Sequence, residues 1–148
     1  MPRKVAYLMS RFPKISETFI LYEILELERL GLQIEVFPLI REHETVSHPE
    51  AQVLVDRMHW QPPYCRAVFA AQRYWLRHSP RVYLRAWWHA IYGNLGVPPF
   101  LLRALFIVPQ AALYARRMQA LNIDHIHAHW ATHPTLAAYV IRMLTGIP

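Results

Sequence analysis

The feature that most constrains this chain is a short apolar run, residues 5–10 (VAYLMS), that leads through a polar loop into a helix and then a second apolar run. A continuous apolar run of this length fits a strand covered on both faces, as in a parallel sheet. The loop holds Arg11, Pro13 and Lys14. Ser16 is a good N-cap, because its hydroxyl can accept a first-turn N–H, and Glu17 suits the positive end of the helix dipole. The helix is predicted to reach Leu30, with Ile20, Ile24, Leu27 and Leu30 spaced along one face. Gly31 takes the C′ position that ends it. Residues 34–39 form the next strand. A strand–helix–strand unit of this size needs a right-handed crossover into a parallel sheet. The fold class is α/β.

Residues 41–49 read as a polar loop, and 51–60 fit a short helix or a strand. Three helices are predicted next. Over 64–78, Tyr64, Val68, Ala71 and Trp75 share one face, with Arg66, Arg73 and Arg77 nearly opposite. Ser79 and Pro80 open a second helix as N-cap and first residue, with Leu84, Trp88 and Ile91 on one side and an end near Gly93. A third runs from Pro98 to about Leu121, bent at Pro109. A strand over 123–128 and a helix over 132–145, ended by Gly146, complete the order. The 148 residues are read as a single, partial domain, with 61–121 a helical insertion rich in arginine and aromatic residues.

Hydrophobic residues make up 54% of the chain, too many for a disordered protein. Cys65 is the single cysteine, so no intrachain disulfide forms, which fits a reducing cytosol; a buried apolar thiol is its expected state. No signal peptide is recognised, since the basic start leads into only a short apolar stretch before Arg11. Residues 98–115 are the best candidate span, but Arg103 and Pro109 interrupt them, so a core or interfacial helix is expected. Localisation is expected to be cytoplasmic, peripheral at the inner membrane face.

The net charge of +6 is unevenly spread: no acidic residue lies between Asp56 and Asp124, a stretch that holds nine arginines. Such a block seeks polyanions. Arg66, Arg73, Arg77, Arg81 and Arg85, with Trp75, Trp87 and Trp88 nearby, are candidates for binding anionic lipid headgroups. Stacking aromatics and arginines also serve nucleic acid, but no helix-turn-helix, RRM or zinc-finger pattern accompanies them, and no nucleic acid is expected as a partner. A plain solvated basic face is the alternative.

His125, His127 and His129 alternate, so in a strand they share one face. That spacing can serve zinc, but no further ligand motif accompanies it, so neither a metal nor a cofactor is expected. His125 is placed at the strand's start near the surface and His127 hydrogen-bonded inside. His129 sits at the carboxyl end, where open α/β sheets bind ligands, and can bond a sugar hydroxyl or a phosphate. Ser16, Glu17 and Thr18 at a helix N-terminus offer N–H groups to an anion, with Arg11 and Lys14 adding positive charge. The loop contains no glycine, so it is neither a phosphate-cradling Gly-rich loop nor a dinucleotide fingerprint. No serine sits in a nucleophile elbow.

Residues 5–20 (VAYLMSRFPKISETFI), the helix bearing Glu23, and 125–130 (HIHAHW) followed by 145–148 (TGIP) resemble the N-terminal part of family 4 glycosyltransferases. The closest subgroup acts in colanic acid and other exopolysaccharide biosynthesis. The resemblance covers essentially the whole chain, strongest at both ends and loose across the helical middle. It implies a GT-B enzyme of two Rossmann-like domains, with the N-terminal one binding a glycan or lipid-linked acceptor. The C-terminal one would bind the nucleotide-sugar donor and carry paired glutamates seven residues apart. Such enzymes transfer the sugar with retention and usually need no metal. By position, His129 falls where members place a histidine facing the sugar, and residues 11–18 fall on the loop facing the cleft. The chain is then a partial enzyme, expected to be inactive without the donor domain. The alternative is a non-catalytic α/β module that binds anionic lipid or nucleic acid through its basic helices.

Overall fold

The computed structural model describes residues 3–14, 18–42 and 49–148. Among these, three strands and six helices follow in the order β1 (Lys4–Phe12), α1 (Thr18–Arg29), β2 (Gln33–Arg41), α2 (Pro49–Arg57), α3 (Arg66–His78), α4 (Pro80–Tyr92), α5 (Pro98–Leu121), β3 (His125–Ala128) and α6 (His133–Thr145). The sheet is parallel with order β2-β1-β3: Tyr7 lies opposite Val36 on one side and opposite His127 on the other. The chain steps from β1 to one neighbour, then returns through the helices to the other. This reversal of strand order falls at β1.

Alternate residues of a strand face opposite sides, and the core divides accordingly. Tyr7, Met9, Ile34 and Val36 pack with Ile20, Leu21 and Ile24 of α1 and with Ala51 and Leu54 of α2. Ala6, Leu8, Phe37, Leu39 and Ile126 pack on the other face with α3, α5 and α6. The sheet is thus covered by helices on both faces, as a continuous apolar strand requires. The helices of the 61–121 stretch share the core of the second face.

The left-handed backbone at Gly31 (φ 91°) and Gly146 (φ 79°) ends α1 and the α6 helix where the sequence reading puts them. Both strands of the first unit are longer than expected, and residues 49–57 are helical. Ser16 and Glu17 lie outside the described residues. Ser79 takes the N-cap position of α4 but makes no side-chain cap bond. The helix α5 runs unbroken through Pro109 and is the one described helix long and apolar enough to cross a membrane. Its alanines 104, 111, 112 and 115 are fully buried against neighbouring helices, which is the packing of a core helix.

Several faces differ from their expected positions. Tyr64 lies before α3 and is exposed, while Val68, Ala71 and Trp75 are buried. Trp75 donates its indole N–H to the Ala112 carbonyl at 2.8 Å, which removes it from any lipid-facing surface. The helix α4 turns Tyr83, Ala86 and Ala90 inward, because small alanines permit close helix approach; Leu84 and Trp88 point to solvent. Leu30 follows the end of α1 and is exposed. Cys65 is half-buried at the N-cap of α3 rather than in the core.

Candidate functional site

At the carboxyl end of β3, beside the middle of β1, four side chains from three elements converge. The parallel register sets Tyr7 beside His127, and their rings stack with centroids 4.7 Å apart. The His129 N–H donates to the Leu8 carbonyl at 2.9 Å, which extends the ladder one residue past β3 and fixes the histidine against β1. His127 Nε2 and His129 Nδ1 are 3.1 Å apart. From α1, Glu23 accepts the Tyr7 hydroxyl at 2.7 Å, and its other carboxylate oxygen lies 3.9 Å from His129 Nε2. Phe19 and Trp130 flank His129, with ring centroids 5.8 and 6.2 Å away.

The proton arrangement that serves every group has His127 donating to His129 Nδ1. His129 then carries its proton on Nε2, towards Glu23. The 3.9 Å gap is too long for a direct hydrogen bond, so a hydroxyl oxygen set beside it can contact both groups. Trp130 has φ 76°, a left-handed conformation that costs a bulky residue about 1–3 kcal/mol. Thr135 anchors this turn by donating its hydroxyl to the Trp130 carbonyl at 2.9 Å.

Burial, then the Glu23 hydrogen bond, pushes the Tyr7 phenol well above its usual range, so it stays a donor. Burial lowers the pKa of His127, with the His129 and His125 charges adding to the effect and Glu23 opposing it. Burial and the Arg103 charge lower His133 likewise. A histidine whose folded pKa lies below its unfolded value of about 6.5 is protonated more readily in the unfolded chain. Stability from both groups is intact above about pH 6.5 and declines as the pH falls through that value towards the folded pKa. Melting temperatures measured from pH 7.5 to 5 should therefore fall, and H127N should flatten part of the slope.

The site corrects one expectation and leaves others separate. His127 is not an interior core residue; it is half-buried in the same ring cluster as His129. Thr18 opens α1, and Lys14 follows the end of β1. Arg11 is exposed at the end of β1 and ion-paired with Glu42. Arg66, Arg73, Arg77, Arg81 and Arg85 are all exposed and make no ion pair among the described residues, and none belongs to the histidine cluster. Other arginines of the basic block are engaged: Arg57 pairs with Glu28, and Arg116 lies 4.2 Å over the Tyr74 ring. The described residues contain no group of three or more His, Cys, Asp or Glu side chains placed to hold a metal.

On the opposite face of β1, a cavity of about 550 Å³ opens beside Ser10, Arg11, Trp60, Arg103, Phe106 and His133. Sequence reading missed it, because its walls come from five separate parts of the chain. One signal was available: Arg103 interrupts the apolar run of 98–115 without an acidic partner in sequence. Comparison of the chain with protein-family models, curated proteins and solved structures finds no match in any of the three.

Proposed function

We propose that this chain is the acceptor-side, Rossmann-like part of a retaining GT-B glycosyltransferase that transfers a sugar from a nucleotide-sugar donor to a glycan or lipid-linked acceptor in exopolysaccharide synthesis. The observation that carries the reading is the convergence of His129, Glu23 and Tyr7 at the carboxyl end of β3, beside the middle of β1 where the strand order reverses. In open parallel α/β sheets that reversal point is where ligands bind. A sugar hydroxyl placed between His129 Nε2 and Glu23 meets a donor and an acceptor together, and the exposed Trp130 ring offers an apolar face to the sugar. Arg11, Lys14 and Thr18, with Ser16 and Glu17, supply the rest of the acceptor loop on this reading. No cofactor is required.

The five unpaired arginines support peripheral attachment to an anionic inner leaflet, in the cytoplasm. Their neighbours on α4, Leu84, Trp88 and Tyr92, are exposed apolar groups of the kind that enter a headgroup layer. Electrostatic attachment of this kind weakens as salt shortens the screening length. The same surface supports a second reading, a non-catalytic lipid-binding module.

Acceptor binding separates the two. The 148 residues should bind neutral oligosaccharides at the histidine cluster, read as shifts of the His127 and His129 ring resonances. They should transfer no sugar from a panel of nucleotide sugars, since the groups that stabilise a leaving diphosphate belong to the donor domain on this reading. Oligosaccharide titrations that leave both rings unmoved, or turnover above a protein-free control, would overturn it.

A further inference from the structure

We propose that the cavity between β1, α5 and α6 is a binding site for a phosphate-bearing amphiphile, that is, a phosphate ester on an apolar chain or ring. Its volume of about 550 Å³ lies within the range of small-molecule sites. Trp60, Phe106 and Ile107 give it apolar walls, while Arg11, Arg103 and His133 bring basic groups to the same space.

The charges in that space do not cancel. Arg11 is paired with Glu42. Arg103 instead donates from Nη1 to His133 Nε2 at 3.1 Å, and makes no contact with a carboxylate among the described residues. The His133 nitrogen must accept in that contact, so the ring is neutral there and leaves the guanidinium charge uncompensated. The Phe100 ring stacks on His133 with an interplanar angle of 6°, which holds the imidazole in place for Arg103. His133 is also the first residue of α6, and the positive end of a helix dipole favours an anion.

A second observation points to a ligand. The Trp60 indole N–H is buried and has no hydrogen-bond acceptor among the described residues. Trp60 lines the cavity and buried donors are almost always satisfied, so an occupant that reaches this N–H as the side chain adjusts would supply its missing acceptor. A phosphate supplies several acceptor oxygens and a charge that a guanidinium fork matches bidentately. The apolar walls select an attached hydrocarbon or aromatic body over free phosphate. The site lies on the face of β1 opposite the histidine cluster and shares only Arg11 with the proposed acceptor loop, so the test through Trp60 and Arg103 is separate from that of sugar transfer.

The test uses the whole chain, ¹⁵N-labelled, titrated with hexyl phosphate, inorganic phosphate and hexanol. The Trp60 indole resonance is assigned by its loss in W60F. Hexyl phosphate should move that resonance and saturate, and the two half-molecules should each bind about tenfold more weakly or worse. Arg103 is exposed, so R103Q should keep the fold and lose about tenfold in hexyl phosphate affinity. Vesicles containing phosphatidic acid then distinguish the source. Perturbation of Trp60 that excess hexyl phosphate reverses assigns the site to a bilayer headgroup, and action of the dispersed ester alone assigns it to a soluble molecule. An unmoved Trp60 resonance, equal affinity for the three probes, or unchanged affinity in R103Q would overturn the proposal. The ranking of the probes on the unmodified protein decides the matter even where a variant unfolds.

Discussion

Replacing Tyr114 with alanine should cost about 3–5 kcal/mol of folding stability, the scale of removing a large aromatic from a packed core. Tyr114 is fully buried in α5 and packs edge-on against Phe37 of β2 at 5.1 Å. Its hydroxyl donates to the Pro38 carbonyl and accepts the Gln110 amide at 3.0 Å; the same amide donates to Leu39 at 3.0 Å. Pro38 carries no N–H, and the Val36 carbonyl two residues earlier receives the His59 N–H at 2.8 Å. Tyr114 and His59 therefore occupy the outer edge of β2, which would otherwise offer its carbonyls to another strand. With a total stability of about 5–15 kcal/mol for a domain of this size, Tyr114→Ala should lower the melting temperature by on the order of 10 °C. Tyr114→Phe keeps the packing and leaves the buried Pro38 carbonyl unpaired, so it should cost about 1–3 kcal/mol. Urea unfolding of the three proteins checks both. A loss in Tyr114→Phe as large as that in Tyr114→Ala would mean that the hydroxyl, not the ring, holds α5 to the sheet.

Periodic, local features of the fold were legible in the sequence. The first strand–helix–strand unit, the glycines ending two helices, and the limits of the 98–121 helix all follow from short-range patterning. Which side of a helix is buried was harder to read. The α4 helix has Leu84 and Trp88 on one side and alanines on the other, and hydrophobicity alone favours the wrong one; close approach to α5 and α6 favours the alanines. The site divides in the same way. The position of His129 at a strand end was readable because it depends on the strand's own length. Tyr7 and Glu23 were not, since they become its neighbours only through parallel register and the packing of α1. Alternation did place His127 on the same face as His129, but the depth of that face depends on helices far away in sequence. The cavity was invisible for the same reason: Trp60, Arg103 and His133 meet only in three dimensions.

On the glycosyltransferase reading, His129→Ala should lower turnover far more than stability. Its Nε2 is the His129 ring nitrogen that His127 does not engage, and it lies beside the Glu23 carboxylate at the end of β3. A hydrogen bond made to charge developing in the transition state is worth about 2–4 kcal/mol, a loss of roughly 30- to 1000-fold in kcat. The stability cost should be about 1–2 kcal/mol, because the ring, though only 14% exposed, is tilted against Phe19 and edge-on to Trp130 and belongs to neither core cluster. His127 and Tyr7 act through His129 and Glu23. His127→Ala removes the ring that meets Nδ1, and Tyr7→Phe frees the Glu23 carboxylate, so each should reduce kcat by less than His129→Ala does. The measurement is kcat and KM in a protein that joins this domain to its donor domain, alongside thermal melts of each variant. If His129→Ala unfolded the domain while His127→Ala stayed folded and inactive, the roles of the two histidines would be exchanged, with His127 the group that meets the sugar and the His129 ring the one that packs the end of β3 against Phe19 and Trp130.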